Sequence, residues 1–477
     1  MSELLKVDIC VIGAGSGGLT VAAGAAQMGA RVALVERGEM GGDCLNSGCV
    51  PSKALLAAAA KAQGMRNAGA FGIHAQEPQA EWTGVHRHVH EVIAAIAPND
   101  SQERFEGLGV TVIRAAGTFL DRRTLRAGEQ RIRAKYFVLA TGSSPFVPPI
   151  SGLDQVPYLT NESIFGNRDP IGHLIVIGGG PIGLEMAQAH RRLGSAVTVI
   201  EAARCLPKDD PELAAVVLAR LREEGVAIHE GATGLGIGPD SGVASNGIQA
   251  RFVAGGTEHS VVGTHLLIAT GRRANVDGLN LEAAGVRYSA RGVETDARLR
   301  TSNRRIFAVG DVAGPFQFTH MAAYQAGIAI RNMLFKLPAK VNYSAVPWVT
   351  YTDPELAHVG MTEADATSRG EQVRILRWDF ADNDRAQAER RTEGRIKVIC
   401  TSAGRILGAT IVGPHAGELI QPWVLAMSQK LKIGAMATMI APYPTLAEAG
   451  KRAAGSFYSE KLFSTTTRRI VRFLMRF

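Results

Sequence analysis

Val7-Asp8-Ile9-Cys10-Val11-Ile12-Gly13-Ala14-Gly15-Ser16-Gly17-Gly18, with Val35-Glu36 further on, is the stretch that decides the fold. Val7–Ile12 is an apolar run of strand length, and an Ala-rich stretch with helical patterning follows the glycines to Met28. A second strand, Arg31–Val35, ends at Glu36. In such a strand–turn–helix unit Gly13 permits a tight turn, Gly15 lets the backbone approach a pyrophosphate, and Gly18 lets the helix pack close to the strand. The helix N-terminus offers free N–H groups to the phosphates, and Glu36 stands where a ribose hydroxyl is bound. The same pattern recurs as His173–Ile177, Gly178-Gly179-Gly180-Pro181-Ile182-Gly183, a helix to Leu193, and a strand Ala196–Ile200 ending at Glu201. In both copies the acid comes 23 residues after the first glycine, and both are followed by a strand ending in Ala-Thr-Gly, at Ala140-Thr141-Gly142 and Ala269-Thr270-Gly271. A lone G-x-G-x-x-G is weak; two with matched offsets read as two dinucleotide-binding units.

The first copy carries an insert: Gly41-Gly42-Asp43-Cys44-Leu45-Asn46-Ser47-Gly48-Cys49-Val50-Pro51-Ser52-Lys53. A disulfide between Cys44 and Cys49 would close so small a loop that it removes little unfolded-state entropy. Its geometry would be tight, and strained disulfides are the reducible ones. Behind a dinucleotide fingerprint, the pair reads as a redox centre fed by a bound cofactor. Lys53 lies one turn beyond Cys49 if the stretch is helical, close enough to favour a thiolate. Further on, Arg305–Val309 reads as a strand ending in Gly310-Asp311, which puts the acid at the sheet's ligand edge. After about Val341 the pattern turns β-rich, with strands at Trp348–Tyr351, Arg395–Cys400 and Leu407–Val412.

The chain has 477 residues, too many for one core. Five cysteines are too few for a secreted disulfide scaffold. No apolar run is long enough to span a membrane. The N-terminus Met1-Ser2-Glu3-Leu4 enters a strand directly, without a signal-peptide pattern, so a cytoplasmic location is expected. The net charge of +8 is modest for this length and is not a nucleic-acid signature. Cys10 and Cys400 read as core thiols and Cys205 as an incidental one. His86, His88 and His90 fall in a helical pattern, where only His86 and His90 share a face; a solvated face is expected, with no metal site. The tail Lys461–Phe477 sets Arg468, Arg469, Arg472 and Arg476 among Phe463, Ile470, Val471, Phe473, Leu474 and Phe477. It reads either as a membrane-surface helix or as a helix packed within the chain's own dimer.

Nearly the whole chain resembles the FAD-dependent pyridine nucleotide–disulfide oxidoreductases, a family that includes lipoamide dehydrogenase, glutathione reductase and mercuric reductase. The resemblance implies an FAD site at Gly13, Gly15, Gly18 and Glu36, with Thr141, Gly142, Gly310 and Asp311. It implies an NAD(P) site at Gly178, Gly180, Gly183, Glu201 and Gly271. The implied architecture is α/β, with two Rossmann-type domains and a C-terminal α+β dimerisation domain. Residues 1–150 and 274–341 would bind FAD, 151–273 would bind NAD(P), and 342–477 would form the homodimer interface and carry the basic tail. Electrons would pass from NAD(P)H to FAD, to the Cys44–Cys49 disulfide, and on to a small disulfide or a metal-thiolate. Cys44 would be the interchange thiol, Cys49 the charge-transfer thiolate, and Lys53 would pair with Glu185. Pro442-Tyr443-Pro444-Thr445-Leu446-Ala447-Glu448 resembles the family's C-terminal active-site segment, contributed by the partner subunit. Lipoamide dehydrogenases and glutathione reductases carry there a His acid–base, which Tyr443 replaces while Glu448 remains. Mercuric reductases share the Tyr but add a C-terminal cysteine pair, whereas this sequence ends Phe473-Leu474-Met475-Arg476-Phe477. The expectation is a dihydrolipoamide dehydrogenase-like enzyme favouring NADH. A mercuric (metal) reductase is the first alternative and a non-catalytic, membrane-recruited flavoprotein the second.

Overall fold

The first fingerprint folds as a parallel βαβ unit: β1 (Leu4–Ile12), α1 (Ser16–Gln27) and β2 (Val32–Glu36). The computed structural model describes residues 4–240, 242 and 247–477; residues 1–3 of the N-terminal reading lie outside them. The cysteine insert forms α2 (Gly42–Asn46) and α3 (Cys49–Asn67), before β3 (Val110–Arg114) and β4 (Gln130–Leu139). The second unit is β5 (His173–Ile177), α4 (Pro181–Arg192), β6 (Ala196–Ile200) and β7 (His265–Ile268). It is followed by β8 (Ile306–Ala308) and α5 (Thr319–Met333). The strand and helix boundaries lie within one or two residues of the sequence reading, except that β1 begins at Leu4, three residues before Val7.

Two compact units emerge, one of Met1–Gly178, Ala189–Ile200 and Ala232–Val341, the other of Gly179–Gln188, Glu201–Gly231 and Asn342–Phe477. In the first, β3, β2, β1 and β4 pair in parallel in that order, and β8 joins β4, also in parallel. Both faces of this sheet are buried, as parallel sheets require. Because strand side chains alternate, Ile9, Val11, Val32, Leu34 and Val138 pack on one face against Ala22 and Ala25 of α1 and Ala326 and Ala329 of α5. Cys10, Ile12, Ala33, Val35 and Leu139 fill the other face, with Phe119 and Leu125. Small residues on α1 permit close helix packing: a side chain at Gly24 would come within 2.8 Å of Ile330. In the same unit β5 pairs in parallel with β6 and with β7.

The second unit holds a five-stranded antiparallel sheet of Pro347–Thr350, Glu355–Gly360, Ile406–Gly413, Arg395–Thr401 and Val373–Asp379, in that spatial order. Its core gathers Val359, Phe380, Val398, Ile411 and Trp423. The chain ends in α6 (Glu448–Leu462) and α7 (Thr465–Leu474). Among the described residues no helix is long and apolar enough to cross a membrane.

Candidate active site

The cysteine loop sits directly on the first glycine turn. Gly41 bridges Gly15, and its N–H donates to the Ala14 carbonyl at 3.0 Å. Gly42, with φ +61°, leaves no room for a Cβ, which would lie 2.7 Å from the Gly15 Cα. This contact carries α2, and with it Cys44, to the turn.

Cys49 opens α3, so the helical reading that puts Lys53 one turn later holds. Both cysteines are free thiols here, Cys44 half-buried and Cys49 exposed. The Cys49 Sγ lies 3.4 Å from the Thr319 Oγ1, at the first residue of α5. A hydrogen bond from Cys44 pulls the Cys49 thiol down to about 6, helped by Thr319 and by the charge of Lys53. The same hydrogen bond, with burial, pushes Cys44 well above the usual thiol range. The two shifts run in opposite directions, Cys44 up and Cys49 down, so the pair titrates as a unit in which Cys49 is the easier to ionise. Lys53 Nζ also donates to Ser52 Oγ at 3.3 Å.

A polar chain holds the loop from the other side. Asp43 accepts from Asn161 Nδ2 at 2.9 Å and lies 3.3 Å from the Arg272 guanidinium. Arg272 Nε donates to Ser143 Oγ at 2.7 Å, and that hydroxyl donates to Asp311 at 2.5 Å. Burial raises the Asp311 pKa. Gly310 N–H donates to Gln325 Oε1 at 2.7 Å, and Thr141 Oγ1 to the Asn275 carbonyl at 2.7 Å, which ties Thr141-Gly142 down. The sequence reading had not singled out Asp43, Asn161, Ser143, Arg272 or Thr319. Nearness in sequence to Cys44, Ala-Thr-Gly or Gly310-Asp311 could have marked all but Asn161, which lies near none of them.

Both acids turn out to serve the backbone as well. Glu36 accepts from the N–H groups of Ala14 at 2.5 Å and Gly38 at 2.6 Å. Glu201 accepts from Gly179 at 2.6 Å and Ala203 at 2.8 Å. Each carboxylate therefore fixes its own glycine turn, with acceptor capacity left over. Helix α1 starts at an N-cap glycine with no side-chain cap and no acid in its first turn, so its N-terminal N–H groups are left for an anion. A side chain at Gly180 would meet nothing within 4 Å, which leaves the second turn open to a close-lying phosphate. Gly183 lies in the first turn of α4, and Gly271, at φ +138°, follows β7. Each glycine turn, taken by itself, leaves the open N–H groups and close-approach space that a dinucleotide's phosphates need. Arg204, three residues after Glu201, donates to the Pro207 and Asp209 carbonyls at 3.0 and 3.2 Å.

In the second unit Glu185 is buried and accepts from the Tyr351 N–H at 2.9 Å. Tyr443 is 69% exposed. Its Oη donates to Asp384 Oδ2 at 2.8 Å, which raises its pKa further. Glu448 pairs with Arg452 at 2.9 Å.

Cys10, Cys205 and Cys400 are buried, and burial raises all three thiols, Cys205 to about 12, so they read as inert. His86 and His90 share a face, ring to ring at 4.1 Å, but the face is not wholly solvated. His86 is half-buried, and His90 Nε2 meets the Phe165 carbonyl at 3.0 Å. Among the described residues no His, Cys, Asp and Glu side chains gather as metal ligands.

Residues 7–326 match the family model described as pyridine nucleotide-disulphide oxidoreductase, and residues 346–454 match that family's dimerisation domain. The chain is 36% identical to a mercuric reductase of Streptomyces lividans, over 95% of this chain and 96% of the relative. It is 32% identical to a dihydrolipoyl dehydrogenase of Bacillus subtilis (strain 168), over 93% of this chain and 96% of the relative. Among solved structures, the Cu(II) complex of the HOCl-induced flavoprotein disulfide reductase RclA from Escherichia coli superposes with a TM-score of 0.84 at 26% identity, covering 94% of this chain and 99% of that one.

Proposed function

The chain belongs to the pyridine nucleotide-disulphide oxidoreductase family, and we propose that this NAD(P)H-dependent flavoprotein reduces its acceptor through Cys44, with Cys49 as the resident thiolate. The observation that carries the proposal is the unequal cysteine pair on a loop seated against the dinucleotide turn. FAD, when bound, takes a hydride from NAD(P)H and passes the electron pair to sulfur. Gly13, Gly15, Gly18 and Glu36, with Thr141, Gly142, Gly310 and Asp311, would hold it. Gly178, Gly180, Gly183, Glu201 and Gly271 would hold the nicotinamide nucleotide.

In the reduced pair, Cys49 carries the charge, stabilised by Cys44, Thr319 and Lys53. When an acceptor disulfide arrives, the Cys44 proton moves to Cys49. The Cys44 sulfur attacks one acceptor sulfur, forming a mixed disulfide and releasing the other half as a thiolate that takes up a proton from water. Cys49 then returns its proton to solvent and attacks Cys44. The Cys44–Cys49 bond forms, and the second half leaves as a thiolate that takes up the proton Cys49 released. Two electrons leave the cysteine pair and two thiols are made.

That route serves lipoamide's disulfide only slowly, and the finer acceptor is a metal-thiolate, to which the same reduced cysteine pair supplies the two electrons. Tyr443, bonded to Asp384 and with its pKa raised, cannot take a proton near neutral pH. The mercuric reductase likeness favours the same choice. The family's dimerisation domain supports a homodimer, in which Tyr443 and Glu448 of one subunit face Cys44 of the other. NADH is the preferred donor, since Glu201 opposes a 2′-phosphate and Arg204 is tied to backbone carbonyls. The finer partner reading adds a peripheral membrane contact through the tail after Lys461.

The test is anaerobic reduction with NADH. Long-wavelength thiolate-to-flavin absorbance is expected in the native chain, absent in Cys49→Ala and permanent in Cys44→Ala. A long-wavelength spectrum indifferent to both substitutions refutes the assignment. Single-turnover reoxidation by lipoamide, glutathione disulfide and Hg(II) then ranks the acceptors.

A further inference from the structure

The end of the chain has a division of character that the redox chemistry does not use. Helix α7 is capped by Ser464, whose Oγ accepts from the Thr467 N–H at 3.2 Å, while Thr467 Oγ1 donates to the Lys461 carbonyl at 2.7 Å. The junction with α6 is therefore fixed by its own hydrogen bonds. The stem is anchored too: Arg374 donates to the Phe457 carbonyl at 3.0 Å, stacks over its ring at 4.5 Å and pairs with Glu460 at 3.0 Å.

At about 100° per residue, Ile470, Val471, Phe473 and Leu474 occupy one arc of α7. Arg468, Arg469 and Arg472 occupy the opposite arc, and the two do not overlap. None of the helix is buried, and Phe473 is 58% exposed. Phe477 extends the apolar face, its ring meeting that of Phe473 edge-on at 5.5 Å. From Lys461 to Phe477 the chain carries Lys461, Arg468, Arg469, Arg472 and Arg476, and no Asp or Glu.

We infer that α7 is an in-plane anchor for an anionic lipid surface. Its aromatic and aliphatic face would enter the headgroup–acyl boundary, with its arginines paired to lipid phosphates. The inference rests on the peripheral-contact reading of the tail and is independent of the redox assignment. Charge decides between the possible occupants. Two tails packed through their apolar faces would leave both sets of cations turned outward with no acid in either tail to pair them, whereas anionic headgroups neutralise them. Arg469 and Arg468 border the apolar arc, where their stems can reach along it while their heads reach phosphate. With no membrane-crossing helix among the described residues, the contact is peripheral.

The experiment sediments the full FAD-loaded chain with vesicles of mixed phosphatidylcholine and phosphatidylglycerol, and with vesicles of phosphatidylcholine alone. Binding to the anionic vesicles, weakened by salt, is expected, with little to the neutral ones. Each of Arg468→Gln, Arg469→Gln and Arg472→Gln should lower partitioning about fivefold. The double substitution Phe473→Asp, Leu474→Asp should abolish binding while dimer mass, measured by ultracentrifugation, and NADH-driven acceptor reduction stay unchanged. Failure to sediment with anionic vesicles, or equal binding to both kinds, overturns the inference. So does dissociation of the dimer by the double substitution, which would assign this face to a second copy. Acceptor reduction that persists when vesicle binding fails leaves the redox reading standing; its loss while binding persists sinks that reading alone.

Discussion

Replacing Thr319 by Val isolates one contribution to the reactive thiolate. The Thr319 hydroxyl lies 3.4 Å from the Cys49 Sγ and is among the groups that lower its pKa to about 6. A hydrogen bond to a charged group contributes about 1.5–3 kcal/mol. The exposed, weakly accepting sulfur puts this one at or below the lower end, about 1.4 kcal/mol, which equals about one pKa unit. Val keeps the β-branched shape and removes the donor. The thiolate exists above its pKa, so in the native chain the charge-transfer absorbance should fade as pH drops through about 6. In Thr319→Val the midpoint should move up to about 7. The assay is a pH titration of long-wavelength absorbance in the anaerobically reduced enzyme, with circular dichroism as a control for folding. An unchanged midpoint refutes the argument that Thr319 stabilises Cys49. A fall in the midpoint would refute it as well, because Val desolvates the sulfur at least as much as Thr and removes only the donor.

Three further outcomes follow from named contacts. Tyr443→His should raise disulfide turnover by about 10²–10⁴-fold, measured as lipoamide-dependent NADH oxidation; lipoamide activity in the native chain that already matches an efficient dehydrogenase contradicts the premise. Gly42→Ala forces a Cβ to 2.7 Å from the Gly15 Cα at φ +61°, so a loss of roughly 1–3 kcal/mol in stability and weaker FAD retention on gel filtration are expected, and full retention with unchanged melting would show that the loop yields. kcat/KM should favour NADH over NADPH, and Glu201→Ala should narrow that ratio; a native preference for NADPH overturns the reading of Glu201 and Arg204.

The local signals settled a good deal by themselves. Two glycine turns with matched acids, a cysteine pair behind the first, and Gly310-Asp311 at a strand end specify parallel βαβ units, because turn conformation and strand alternation are short-range properties. The helix over His86–His90 and the inert core thiols were legible for the same reason. The coupled titration of Cys44 and Cys49 was not, since it depends on an intersulfur hydrogen bond and on Thr319, 270 residues from Cys49. Nor was the chain from Asp43 through Arg272 and Ser143 to Asp311, whose members are strung along the sequence and meet only where the segments after β4, β7 and β8 reach the cysteine loop. The backbone contacts of Glu36 and Glu201 also needed coordinates: spacing marks an acid at the end of a strand, but only the folded turn brings the Ala14 and Gly179 N–H groups to it. Pattern determines which residues lie on an element. Long-range closure, which sequence offsets do not encode, determines which polar groups share a proton or a charge.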